Sequence, residues 1–123
     1  MTSVDAGPAF RPEDITTIAH GTSETCRSVQ LTLDVVGKRW SAAILVAIAQ
    51  GATRFGEIRG AVDGISDRLL AARLKDLERH HLVERTVVPS MPVQVKYAPT
   101  VEGVQLVAAM APLFQWGENH FGT

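Results

Sequence analysis

Gly64-Ile65-Ser66-Asp67-Arg68-Leu69-Leu70-Ala71-Ala72-Arg73-Leu74-Lys75-Asp76-Leu77-Glu78-Arg79 reads as one capped, two-faced helix. The Ser66 hydroxyl can accept a hydrogen bond from a backbone N–H two or three residues on. Asp67 places a negative charge in the first turn, where the helix dipole favours it. Leu70, Leu74 and Leu77 recur at spacings of four and three and so share a face. Arg68, Ala72, Lys75 and Arg79 fall opposite. That outer face is short-stemmed in the middle and cationic at both ends. A DNA major groove admits such a helix, and Arg or Lys can donate to guanine or phosphate. A mixed-charge amphipathic helix is also the commonest surface helix of any globular protein, so the neighbouring segments have to decide.

Immediately upstream, Phe55, Ile58 and Val62 keep spacings of three and four within Arg54–Val62, which predicts a short helix. Asp63-Gly64 is a turn signal between it and the capped helix. A short helix, a tight turn and a second helix with a cationic outer face is the helix-turn-helix arrangement. Before it, Ser41–Ala49 is apolar nearly all round, which predicts a helix central to the core. Gly51 stops it. Trp40 reads as a core anchor, and Lys38 and Arg39 sit where they could reach phosphate. Gly37 ends an earlier helix over residues 26–36, with Val29, Leu33 and Val36 on one stripe. Cys26 stands near that helix's N-terminus beside Arg27, a setting that favours thiol reactivity and makes it a candidate redox sensor. The alternative is a small buried residue, since free cysteine is among the most buried types. Residues 1–24, with Pro8 and Pro12 among Ser, Thr and Gly, read either as a tail or arm that packs on a partner subunit or as simple disorder. Pro12-Glu13-Asp14 could open a short helix there.

Downstream the period changes. Leu82–Val88 is rich in β-branched residues and Val93–Tyr97 alternates with period two, which predicts a hairpin joined by Pro89-Ser90-Met91-Pro92. Thr100 caps a last helix with Glu102 in its first turn. Val104, Leu106, Val107, Met110, Leu113, Phe114 and Trp116 cover more than one stripe of it. The cheapest cover for the surplus is the same helix of a second copy. Pro112 should kink this helix or end its regular part.

With 123 residues the chain is long enough for one core without covalent staples. It has one cysteine, which excludes an internal disulfide framework and suits a reducing cytoplasm. It has no apolar run of membrane-spanning length and no secretory signal pattern. The net charge of −1 gives no bulk attraction to nucleic acid. Residues 54–85 hold seven basic and six acidic residues. DNA affinity must therefore come from the placement of charges on one face. His20, His80, His81 and His120 are scattered, with no metal-ligand spacing, and there is no phosphate-binding loop or nucleophile motif. An enzyme is the weakest reading, and neither cofactor nor metal is called for.

From Cys26 to Glu118 the chain resembles the HxlR family of bacterial winged-helix transcription regulators, relatives of the MarR group. The matching stretches are Cys26, Leu33–Trp40, Arg54–Ile58, Gly64–Ser66, Arg73–Glu78 and Leu82–Arg85, followed by Tyr97, Thr100, Gly103 and Trp116–Glu118. The resemblance implies a mainly α fold with a small β-hairpin, a winged helix-turn-helix, over residues 25–123. It implies a homodimer whose recognition helices enter successive major grooves of a near-palindromic DNA operator. Arg68 and Ala72 would face bases; Ser66, Arg39, Arg73 and Lys75 would hold phosphates, and Lys96 could find another from the hairpin. Val29, Leu33, Val107, Met110, Phe114 and Trp116 are the candidate dimer contacts. Some family members sense oxidants or electrophiles through the cysteine matching Cys26, so an oxidant or small-molecule effector is a candidate partner. The chain departs from the family pattern at Arg27, where proline is frequent, and at Gln94 and Lys96, where arginine and glutamate are usual. The wing tip carries no charge, which favours a second reading: a winged-helix protein-interaction module without a DNA role.

Overall fold

Ser41–Ala49 (α2) is the centre of the molecule, as its unbroken apolar sequence requires. The computed structural model describes residues 23–122. Around α2 the described residues form α1 (Ser23–Val36), α3 (Phe55–Ala61), α4 (Asp67–Arg79), β1 (Val83–Val88), β2 (Gln94–Pro99) and α5 (Val101–Phe121). The arm expected over residues 1–24, with its short helix at Pro12, lies outside the described residues, except that Ser23 and Glu24 already belong to α1.

Ile44, Leu45 and Ile48 of α2, Ile58 of α3 and Leu70, Leu74 and Leu77 of α4 are almost fully buried in one cluster. Burying each such side chain is worth about 1.5–3 kcal/mol. The cluster continues through Val62 and Ile65 in the α3–α4 turn, Leu82 and Val83 at the start of the hairpin, and Met110 of α5. β1 and β2 pair antiparallel, from Val83 opposite Pro99 to Val88 opposite Gln94. The backbone N–H of Tyr97 donates to the Thr53 carbonyl at 2.7 Å, which ties the hairpin to the entrance of α3. This is the winged helix-turn-helix architecture that the sequence calls for.

Thr100 closes the base of the hairpin and starts α5. Its hydroxyl donates to the His81 carbonyl at 2.7 Å and accepts from the Gly103 N–H at 3.0 Å. Gly103 lies so close to the Leu82 carbonyl that a Cβ there would overlap it. α5 runs on through Pro112 to Phe121, so proline does not end its regular part. A proline removes one backbone donor, and the many remaining i to i−4 bonds of a 21-residue helix carry the backbone past it.

Gly103→Ala should therefore lower stability by about 1–3 kcal/mol through overpacking against backbone. Gly60→Ala, at a helical position with open space around it, should raise stability by up to about 1 kcal/mol. Urea unfolding of the two variants checks this. Equal effects of the same sign would refute the close packing of α5 on the hairpin.

Candidate nucleic-acid interface

α4 is held by three constraints that its sequence supplies. The Ser66 hydroxyl accepts from the Leu69 N–H at 3.1 Å, the cap expected from the sequence. Leu70, Leu74 and Leu77 are buried. Gly64, in the turn before the cap, has φ +92°, a left-handed conformation that glycine adopts freely, and it lies against the Trp40 ring. With one face buried, Arg68, Ala72, Lys75 and Arg79 are all exposed on the other. Among the described residues Arg68 and Lys75 join no ion pair, so both cations face outward unspent.

The flank of α4 is different. Asp76 is half-buried and receives three cations: Lys38 Nζ, an Arg73 guanidinium nitrogen and an Arg79 guanidinium nitrogen, each at 3.3 Å. Arg73 also donates through Nε to the Arg39 carbonyl at 3.1 Å. The joint between α1 and α2 is thereby fastened to α4. Trp40 in that joint has φ 80°, strained for a bulky residue, and the Arg39 guanidinium stands 4.9 Å from its ring centroid.

α3 carries the other polar anchors. The Glu57 carboxylate accepts from the backbone N–H groups of Thr53 and Arg54 and from the Thr53 hydroxyl, at 2.9, 3.0 and 3.1 Å. Arg59 pairs with Asp67 at 2.8 Å, across the turn. Arg54 donates to the Gln94 side-chain carbonyl at 2.9 Å, bracing the loop-side end of β2 against the helix-turn-helix.

The expected DNA contacts divide into two groups. Arg68, Ala72, Lys75, Ser66 and Arg39 lie on or beside one exposed surface, and Lys96 is exposed on β2. Arg73 is half-buried and directs its Nε and one terminal guanidinium nitrogen to partners within the protein. Sequence reading missed the Arg54–Gln94 and Arg59–Asp67 pairs and the central place of Asp76. The spacing of Arg73, Asp76 and Arg79 was visible, but Lys38 joins them from 38 positions away. Of the candidate dimer residues, Val29, Leu33, Phe114 and Trp116 are exposed, Val107 is half-buried against the core, and Met110 is inside it. Cys26 is free and exposed on α1. An apolar groove of about 470 Å³, lined by Ala42, Ala43, Val46, Ala47, Gln50, Ala61 and Phe114, runs between α2, the end of α3 and α5.

Residues 35–123 match the model of the HxlR-like helix-turn-helix family. The chain belongs to that family. It is a transcriptional regulator of helix-turn-helix type, in a family of regulators and not of enzymes. It is 37% identical to the HTH-type transcriptional regulator YodB of Bacillus subtilis over 94 residues, 76% of this chain and 84% of that protein. It is 36% identical to YvaP of the same organism, an uncharacterized HTH-type transcriptional regulator, over 76% of this chain and 87% of that one. The reduced form of YodB superposes with a TM-score of 0.67 at 36% identity, covering 74% of this chain and 89% of that one. YodB has also been solved diamide-treated and quinone-bound. The family match begins at Val35, so Cys26 lies outside it. No helix among the described residues is long and apolar enough to cross a membrane.

Two carboxylates give the fold an acid-sensitive seam. For Glu57, the hydrogen bonds from Thr53 and Arg54 hold the carboxyl below its ordinary value. For Asp76, burial pushes the carboxyl up, but the Lys38 hydrogen bond and the charges of Lys38, Arg79 and Arg73 together outweigh it and hold it low. A carboxyl whose folded value is depressed stabilises above the ordinary carboxylate range and loses that contribution as pH falls through it. The urea midpoint should therefore drop as pH is lowered below about 4. The double variant Glu57→Gln/Asp76→Asn should start lower and fall less. An unchanged pH slope in the double variant would rule these two groups out as its source.

Proposed function

We propose that the chain is a cytoplasmic, homodimeric, sequence-specific DNA-binding regulator with residues 1–24 as an arm and 25–123 as its domain. The exposed row Arg68, Ala72, Lys75 and Arg79 carries this reading, because α4 is buried on its other face and capped at Ser66. In the major groove, Arg68 donates two guanidinium N–H groups to O6 and N7 of a guanine and Ala72 lets the helix approach closely. Lys75, Arg39 and the Ser66 hydroxyl hold phosphates, and Lys96 reaches the backbone from the hairpin. Two copies related by a two-fold axis read two half-sites of a near-palindromic operator. The second copy covers the exposed apolar side chains Val29 and Leu33 of α1 and Leu113, Phe114 and Trp116 of α5.

A thiol signal is a second element of the proposal, supported by the free, exposed Cys26 and by the diamide-treated and quinone-bound forms of the relative YodB. A chain with one cysteine cannot close an internal bond. Oxidation would end in a sulfenic acid, a mixed disulfide or a bridge between subunits. A small apolar effector would find the groove beside Phe114.

Arg68→Ala should weaken binding to an operator obtained by in vitro selection by about 1–3 kcal/mol and relax preference at one base position. Lys75→Ala should weaken binding on all sequences and flatten the salt dependence by about one in log–log slope. Fluorescence anisotropy titrations at several salt concentrations read both. Wild-type behaviour of Arg68→Ala removes it from base recognition, and salt-independent behaviour of the wild type on DNA favours the protein-interaction module. Trp116→Glu should shift the sedimentation coefficient from dimer to monomer. Diamide should weaken operator binding in the wild type and leave Cys26→Ser unaffected; equal sensitivity of the two would end the thiol proposal.

A further inference from the structure

The cations of the helix-turn-helix half are not equally available to DNA. Arg68 and Lys75 point outward without an ion-pair partner among the described residues, whereas Lys38, Arg73 and Arg79 converge on Asp76. Asp76 stands about a quarter-turn of the helix away from the outer face, between that face and the buried leucines. Its side chain is 16% exposed, while those of Lys38 and Arg79 are 49% and 69% exposed. The carboxylate is thus fixed and poorly screened, and the two long cations reach it from the rim where a DNA backbone would pass.

We propose that Asp76 is a specificity-determining residue that acts as an internal competitor for phosphate, holding Lys38, Arg73 and Arg79 back from sequence-independent contact with DNA. The inference rests on the DNA-binding reading above. A phosphate taking Lys38 or Arg79 must displace a carboxylate that is already 3.3 Å from each. That displacement leaves a half-buried anion short of partners, which opposes the exchange. The field that Lys38 and Arg79 present to any phosphate is also partly cancelled by the adjacent negative charge. Each cation that fully neutralises a phosphate releases a counterion and adds about 0.9 to the log–log salt slope. A restrained cation adds less. Base contact through the unrestrained Arg68 is untouched, so the restraint falls on the component of binding that carries no sequence information. Arg73 is the most committed of the three, since its Nε is also bound to the Arg39 carbonyl. Lys38 and Arg79 are the ones that removal of the carboxylate would free.

The test uses the full chain and two probes: a random-sequence duplex about two helical turns long and the selected operator. Asp76→Asn should bind the random duplex several-fold more tightly at low salt, with a log–log salt slope steeper by about 1–2. Asp76→Glu, which keeps the charge, should behave as wild type. Thermal melting of each variant accompanies the titrations. A folded Asp76→Asn with wild-type or weaker affinity for random DNA and an unchanged slope overturns the proposal. If Asp76→Asn does not fold, Lys38→Met decides. With Lys38 already neutralised its loss should leave the random-DNA slope unchanged, and a slope lower by about one overturns the proposal. A wild type with no salt-sensitive affinity for either duplex overturns the DNA-binding reading and this inference with it. A wild type that binds while the variants fail as described overturns the role of Asp76 alone.

Discussion

The burial of Leu70, Leu74 and Leu77 in the cluster around α2 is the constraint on which the rest of the molecule depends. A helix with three leucines on one face has no rotational freedom once that face is sealed, because turning it would expose all three. At about 1.5–3 kcal/mol for each side chain, their exposure would use up most of the stability a domain of this size has. The seal aims Arg68, Ala72, Lys75 and Arg79 outward, and of the three cations only Arg79 has an ion-pair partner among the described residues. Leu82 and Val83 join the same cluster, so the hairpin's position follows from the same burial.

Charge does its work on this frame by placement. The chain is close to neutral, so the potential near α4 depends on which cations are paired and which are free. Asp67 pairs with Arg59 at the start of the helix, and Asp76 gathers Lys38, Arg73 and Arg79 towards its end. Exposed pairs such as Arg59–Asp67 contribute little to stability. The Asp76 group is more sheltered and has a second effect. It binds the joint at residues 37–40 to the flank of α4, and α1 leads directly into that joint. The helix bearing Cys26 is thus connected to α4 through a short and strained piece of backbone, with Trp40 in the left-handed region.

The outer helices have more apolar surface than one copy can cover. Met110, Leu106 and Val107 of α5 face the core, while Leu113, Phe114 and Trp116 remain exposed together with Leu31 and Leu33 of α1. Trp116, His120 and Phe121 pack on one another at the end of α5, with Trp116 and His120 stacked at 4.8 Å. Local stacking reduces but does not remove the exposure of these rings. The apolar groove beside Phe114 lies where these outer helices meet the helix-turn-helix core.

The elements and their order were legible in the sequence by itself. Hydrophobic period, capping residues and turn glycines are local signals, and Ser66, Thr100 and Gly64 each meant in the structure what they meant in the chain, whereas Val93 of the expected second strand falls in the loop. Element ends moved by a few residues: α1 begins at Ser23 and β2 runs on to Pro99, because helix and strand ends depend on neighbours as much as on propensity. Tertiary structure alone decided which of two apolar stripes on α5 the monomer uses, and so why Met110 is inside while Trp116 is outside. It also decided which cations are available. Arg68 and Arg73 look alike in the sequence, five positions apart on one helix. Only the packing of the Lys38–Trp40 joint against the α4 flank gives Arg73 a carbonyl and a shared carboxylate, because an ion pair is chosen by what the fold brings within a few ångströms and not by spacing along the chain.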